Sequence, residues 1–148
     1  MPEQTKPRCE FDSAKLRLKL QFQVPGDVNA ISPVVDGVMH IARQMGCGAG
    51  KEFEIEMAVR EALANAVIHG CKNNPGKVVE VCVACDENRG MLIIVRDPGE
   101  GFDPENVHSP LMGQNVYSDH GRGIYLINQF MDEVKYERGG TEIHMRKF

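Results

Sequence analysis

Apolar and polar residues alternate without a break over residues 15–24. Leu16, Leu18, Leu20, Phe22 and Val24 fall on one side, and Lys15, Arg17, Lys19, Gln21 and Gln23 on the other. A period of two is that of a half-buried strand, and Pro25-Gly26 ends it. The period then becomes helical: Ile31, Val34, Val35, Val38, Ile41, Ala42 and Met45 mark one face of a helix closed by Gly46. Ser32-Pro33 reads as its N-cap and first residue, with Asp27 as the cap for an earlier start. A second helix is expected over residues 51–69, stopped by Gly70. Residues 78–86 and 91–97 read as strands joined by Glu87-Asn88-Arg89-Gly90, a hairpin signature. A short helix over residues 123–131 follows, and residues 133–138 and 141–147 form a last hairpin around Gly139-Gly140. Consecutive antiparallel strands with helices gathered elsewhere predict an α+β fold. Its form is a two-layer α/β sandwich, a mixed, mostly antiparallel sheet with helices on one face.

Two segments lack a period. Residues 1–14 are polar and are expected to be disordered, leaving residues 15–148 as the domain. Residues 102–120 are rich in Pro, Asn, Ser and Gly, and so long an irregular stretch inside a compact domain reads as a functional lid. With 148 residues, the chain is expected to be one domain, burying roughly 70% of its unfolded surface.

Charge and cysteine usage narrow the function. The chain has 17 Lys plus Arg against 21 Asp plus Glu and a pI near 5.7, which argues against direct nucleic-acid binding and suits a basic protein partner. No apolar run approaches the ~20 residues of a membrane span, and the N-terminus lacks a signal peptide's apolar centre. A cytoplasmic location is expected, with no membrane association. Cys9, Cys47, Cys71, Cys82 and Cys85 are odd in number and irregularly spaced, which predicts reduced, packed thiols rather than a disulfide framework. Cys82 and Cys85 lie three apart on a strand, so they face opposite sides and do not form a metal pair.

The chemistry concentrates on the second helix. Glu61, Asn65 and His69 are spaced by four and form a polar stripe on a segment otherwise built of Ala, Val and Leu. A carboxylate and an amide oxygen one turn apart suit Mg²⁺, which takes few protein ligands when phosphates supply the rest. A magnesium-nucleotide site is the first reading. Gly46-Cys47-Gly48-Ala49-Gly50-Lys51-Glu52 looks like a phosphate-binding P-loop but fails, because Met45 occupies the first glycine position and Glu52 the Ser/Thr position.

Four runs together resemble a known family: Glu61-Ala62-Leu63-Ala64-Asn65-Ala66-Val67-Ile68-His69-Gly70, Asp97-Pro98-Gly99-Glu100-Gly101-Phe102, Gly121-Arg122-Gly123-Ile124 and Met131-Asp132-Glu133-Val134. Their order and spacing are similar to those of the bacterial anti-sigma-factor serine kinases. These are a compact branch of the ATPase superfamily that includes sensor histidine kinases, gyrase and the ninety-kilodalton heat-shock chaperone. The resemblance covers nearly the whole chain from Leu16 and implies a Bergerat-type ATP-binding fold.

It also implies a role for each residue. Asn65 would hold the Mg²⁺ that bridges the phosphates of ATP, and Glu61 would orient or deprotonate the incoming hydroxyl. Asp97 would accept a hydrogen bond from the adenine amino group, with Gly99 and Gly101 allowing close backbone approach, although Asp-Pro-Gly also makes an ordinary turn. Gly121 and Gly123 would free the amides of a helix start for phosphate. Arg122 would reach the terminal phosphate or stay solvated, and Thr141 would contact adenine through water or simply begin a strand. His69 reads as a packed or helix-end histidine rather than a phosphate acceptor.

The resemblance further implies an ATP-dependent serine/threonine protein kinase. It would phosphorylate a small anti-anti-sigma protein of the STAS type, sequester a sigma factor and form a homodimer. A nucleotide-gated binding module without kinase activity stays open beside it. Asp119-His120 precede the first glycine of the phosphate box, where family members often carry a glutamate or a small residue.

Overall fold

The computed structural model describes residues 16–86, 90–100 and 119–148. The alternating stretch forms β1 (Leu16–Pro25), and the helical pattern after it forms α1 (Ile31–Gln44). Then come α2 (Glu52–Asn65), a π-helical turn (Ala66–Gly70), β2 (Val78–Asp86), β3 (Gly90–Arg96), α3 (Asp119–Phe130), β4 (Glu133–Glu137) and β5 (Glu142–Lys147). The five strands make one sheet in the order β1-β2-β3-β5-β4. Among the described residues every pairing is antiparallel, in keeping with the α+β fold and mostly antiparallel sheet expected.

Register decides which side chains meet the helices. Val24 pairs with Val79, Phe22 with Val81, Val83 with Ile93 and Ile93 with Met145, so a row of apolar side chains crosses the sheet on one face. On that face they pack with Val35, Val38 and Met39 of α1, Ile55, Val59 and Leu63 of α2 and Ile127 of α3 in one core. Burying each such side chain is worth about 1.5–3 kcal/mol. The helices thus cover one face, as expected of a two-layer sandwich. Cys82, Ala84, Leu92 and Ile94 form a second buried cluster from the other register of β2 and β3. Strands buried on both faces read as continuous apolar runs, which is why these two lacked alternation in sequence.

Helix ends settle one open choice and differ from expectation in two places. Asp27, not Ser32, does the capping: its side chain accepts from Asn29 N at 2.9 Å and opens a 3₁₀ turn (Val28–Ala30) that runs into α1. Ser32 Oγ instead accepts from Arg60 Nη1 at 2.8 Å, and Arg60 also reaches Asp36 and Glu56, stapling α1 to α2. The second helix does not run regularly to His69. After Asn65 it widens into the π turn, which shifts His69 off the α-helical line through Glu61 and Asn65. α3 begins at Asp119, so Gly121-Arg122-Gly123 lie inside its first turns rather than before a helix.

The cysteines require a correction. Cys47 and Cys85 are joined in a disulfide, and Cys82 is also disulfide-bonded; Cys71 is a free, buried thiol. Cys47 N donates to Ala42 O at 2.8 Å, which folds the chain after α1 back over the end of β2 and brings the two Cα atoms to 6.1 Å. Tertiary folding closes a separation of 38 residues that spacing alone does not reveal. Cys82 and Cys85 do face opposite sides of the sheet, as the offset of three requires. The expected disorder of residues 1–14, the hairpin residues 87–89, Gly101 and residues 102–118 of the lid expected over 102–120 lie outside the described residues, while Asp119 and His120 of that stretch open α3.

Candidate functional site

Asp97 follows the last residue of β3, where an apolar strand releases its first carboxylate at the end of the sheet. Its backbone N donates to Thr141 O at 2.9 Å, which fixes the residue against the start of β5. Its side chain is half-buried, and Oδ1 accepts from Gly99 N at 2.8 Å, closing an Asx turn. Among the described residues Oδ2 has no hydrogen-bond partner, which leaves it for an outside donor. Burial raises the Asp97 pKa above its usual 3.8, while the Gly99 N–H and the charge of His69 pull it down less strongly. A carboxylate that is short of solvent and has one open oxygen is suited to accept a hydrogen bond from a ligand.

The π turn builds the wall beside it. Gly70 presses its backbone on the Asp97 carboxyl, so closely that a Cβ there would lie 2.3 Å from Asp97 Cγ. Gly99 packs on the same spot, where its Cβ would lie 2.8 Å from Gly70 Cα and 2.9 Å from Asp97 Oδ1. Two glycines thus form a cradle around one acid. The sequence showed Gly70 only as a helix stop, and its contact with Asp97 depends on the π turn, which no periodicity revealed.

Asn65 ends α2 one turn before this cradle. Its side chain caps no backbone group and makes no hydrogen bond among the described residues, which leaves its amide oxygen for a ligand. Glu61 lies one turn earlier on the same half-buried face and is engaged in a contact of its own. The buried side of α2, Ile55, Ala58, Val59, Ala62 and Leu63, holds both residues at a fixed height above the sheet. Asn65 and Glu61 therefore share the end of the molecule that holds Asp97 and Gly70.

α3 packs along α2, and Phe130 at its C-terminal end stacks edge-on against Phe53 at the start of α2, with ring centroids 5.9 Å apart. Long contact combined with a tail-to-head meeting makes the helices antiparallel, which carries the backbone of Gly121, Arg122 and Gly123 toward the Glu61–Asn65 half of α2. Lys147 fixes the other end of α3, reaching Phe130 O at 2.5 Å and Glu54 at 2.7 Å. Thr141 is also near Asp97, but its hydroxyl donates to Arg138 O at 2.9 Å, and its link to Asp97 runs through its backbone carbonyl.

Glu142, beside Thr141, is a buried acid that sequence reasoning passed over. Burial pushes its pKa up, but the hydrogen bond from His144 at 2.7 Å and the charges of His144, Arg138 and Arg96 outweigh it, so the net shift is downward. Its charge is neutralised locally by Arg138 at 3.5 Å and by the bond from His144. Among the described residues, no group of three or more His, Cys, Asp or Glu is gathered to hold a metal ion. No helix among them is long and apolar enough to cross a membrane.

The donors present fit a magnesium-bound adenine nucleotide. Asp97 has one open oxygen, the glycine cradle leaves no room for side chains, and Asn65 offers a neutral oxygen with no competing bond. Residues 24–147 match the histidine kinase-like ATPase domain. The anti-sigma F factor of Geobacillus stearothermophilus is 35% identical over 136 residues, covering 88% of this chain and 90% of that protein. That of Priestia megaterium is 32% identical over 138 residues, 90% of this chain and 92% of that protein. That of Clostridium acetobutylicum is 39% identical over 99 residues, 64% of this chain and 68% of that protein.

Proposed function

Because the chain belongs to the histidine kinase-like ATPase family, in its anti-sigma factor branch, we propose that it is an ATP-dependent serine/threonine protein kinase that also sequesters a sigma factor. Its substrate is a small STAS-type anti-anti-sigma protein, and it works in the cytoplasm as a homodimer. The observation that carries this reading is the Asp97 carboxylate, seated on Gly70 and Gly99 with one oxygen open, beside the unengaged amide of Asn65.

Each residue has a physical task. Asp97 Oδ2 accepts from the 6-amino group of adenine and disfavours guanine, whose 6-oxo group is itself an acceptor. Gly99 and Gly101 keep the base and sugar close to the backbone, and Thr141 holds Asp97 from the other side. Asn65 supplies the protein oxygen for Mg²⁺, which, when bound, offsets the charge of the phosphates. The Gly121 amide in the first turn of α3 receives phosphate oxygens, with Gly123 one step on leaving space beside them and the Arg122 guanidinium on the terminal phosphate. Glu61 orients the serine hydroxyl for in-line attack and takes its proton as the oxygen bonds to phosphorus and ADP leaves.

The test is incubation of the purified chain with γ-labelled ATP, Mg²⁺ and a STAS-type anti-anti-sigma protein. Label is expected on a serine of the partner. ATP binding without transfer would favour a nucleotide-gated binding module, and free phosphate without labelled partner would favour simple hydrolysis.

A further inference from the structure

One end of the molecule carries an unusual surface. Val28, Ile68 and Val78 are large apolar side chains exposed at 46%, 42% and 39%. They come from three separate segments brought together by the fold. Pro25 pairs with Val78, Gly26 N donates to Lys77 O at 2.9 Å, and a Cβ at Gly26 would lie 2.7 Å from Cys71 Cβ. Asn73 N reaches back to Val67 O at 3.0 Å, tying the loop after the π turn to the residue before Ile68. α1 and α2 run antiparallel, with Ser32 and Asp36 on Arg60 and Arg43 on Glu56, so Val28, at the start of this segment, lies toward the Ala64–Ile68 end of α2.

Two lysines flank this surface in a chain that is acidic overall, with Asp27 beside Val28 engaged in capping its own turn. Lys72 and Lys77 are exposed, and no carboxylate among the described residues pairs with either, whereas the chain as a whole carries a net charge of −4. Lys72 and Asn73 hold φ values of 54° and 57°, a left-handed conformation uncommon outside glycine, so the backbone that presents Lys72 is set in a specific shape. The patch also adjoins the candidate site. Ile68 lies seven residues beyond Glu61, roughly 10 Å along a helix axis, and Gly70 touches Asp97.

We propose that Val28, Ile68 and Val78, with Lys72 and Lys77 at their margin, form the docking surface for the phosphoacceptor protein, whose complementary face is apolar with acidic side chains around it. The inference rests on the kinase reading above. A protein hydroxyl has to reach the terminal phosphate near Glu61, so its carrier needs a foothold next to the nucleotide mouth, and among the described residues this is the exposed apolar surface on that side.

The test is steady-state phosphorylation of a purified STAS-type anti-anti-sigma protein by the wild type, Ile68→Ser and the double variant Lys72→Glu/Lys77→Glu. All three positions are exposed, and ATP affinity by calorimetry reports whether each variant is folded. The expected result is a KM for the protein acceptor raised about tenfold or more, with kcat and ATP affinity unchanged. The salt dependence of KM weakens in the charge-reversed variant, a signature that a purely structural defect does not produce. Met45→Ser, at the other end of α1, leaves KM at the wild-type value.

An unchanged KM in variants that still transfer phosphate overturns the docking surface alone and leaves the kinase reading standing. Loss of sigma-factor binding at unchanged KM assigns the face to that partner, and a shift in oligomeric state at unchanged KM assigns it to a second copy; each overturns the proposal. A wild type that binds ATP but labels no acceptor overturns the kinase reading and this inference with it.

Discussion

Replacing Asp97 with asparagine probes the nucleotide site with the least disturbance, because the side chain keeps its shape and loses only a charge and an acceptor. In the folded protein Oδ1 is already taken by the Gly99 amide at 2.8 Å, so a ligand meets Oδ2. An asparagine that keeps the Gly99 bond turns its NH₂ toward the adenine amino group, donor against donor. Flipping the amide repairs that contact but sets the NH₂ against the Gly99 N–H. Either way one donor in a half-buried site goes unpaired and a charge-assisted bond is lost, which costs about 1–3 kcal/mol. That weakens ATP binding by about 5- to 150-fold.

The fold itself should not suffer. Burial raises the pKa of Asp97, so the folded chain holds its proton more tightly than the unfolded chain does. The stability it contributes is present below its ordinary pKa of 3.8 and is lost as pH rises through the elevated value. At pH 8 the carboxylate therefore contributes nothing that the amide would forfeit. Calorimetric titration of both proteins with Mg·ATP at pH 8, with thermal melts as the folding control, measures the effect. The asparagine amide can donate to the 6-oxo group of guanine, so the ATP-to-GTP preference should narrow as well. Equal ATP affinity in two equally stable proteins would remove Asp97 from adenine recognition.

Three further outcomes are expected. Glu61→Gln keeps ATP affinity but slows transfer to the acceptor by ~10²-fold or more, as single-turnover labelling would show; transfer at the wild-type rate would take Glu61 out of the reaction. ATP affinity falls as pH is lowered through the elevated pKa of Asp97, so the loss sets in at a higher pH than an ordinary carboxylate would give and is absent in Asp97→Asn; parallel pH profiles for the two proteins would contradict it. Breaking the Cys47–Cys85 bridge by Cys47→Ala lowers the stability of the oxidised protein by up to about 4 kcal/mol, the loop-entropy value for a separation of 38 residues. In reducing buffer that gap should shrink, and urea melts showing equal stability under oxidising conditions would argue against the bridge.

Legibility in the sequence followed the range of the forces involved. β1, α1 and the last hairpin were readable because alternation, helical spacing and Gly139-Gly140 act over a few residues, and each lies within a residue or two of its expected bounds. The candidate acid and amide were readable because Glu61 and Asn65 break an apolar helix and Asp97 ends an apolar strand. What stayed hidden depends on the tertiary fold. The π turn is a local widening with no sequence period, yet it is what sets Gly70 on Asp97. The start of α3 was placed late because glycines at 121 and 123 disfavour a helix interior, and packing along α2 overrides that preference. Cys47 and Cys85 meet only after α1 has folded onto the sheet, so their irregular spacing suggested reduced thiols instead.

The central claim is that Asn65, Gly70, Asp97, Gly99 and Thr141 surround one nucleotide at the end of the sheet. Titrating isotopically labelled protein with Mg²⁺ and a non-hydrolysable ATP analogue, followed by amide NMR, tests this directly. Saturable shifts should gather at those five amides and in the first turns of α3, while Gly90 and Lys147 at the far end of the sheet stay unmoved. Shifts centred on the Gly46–Lys51 turn, or no saturable shifts in a folded protein, would contradict the account.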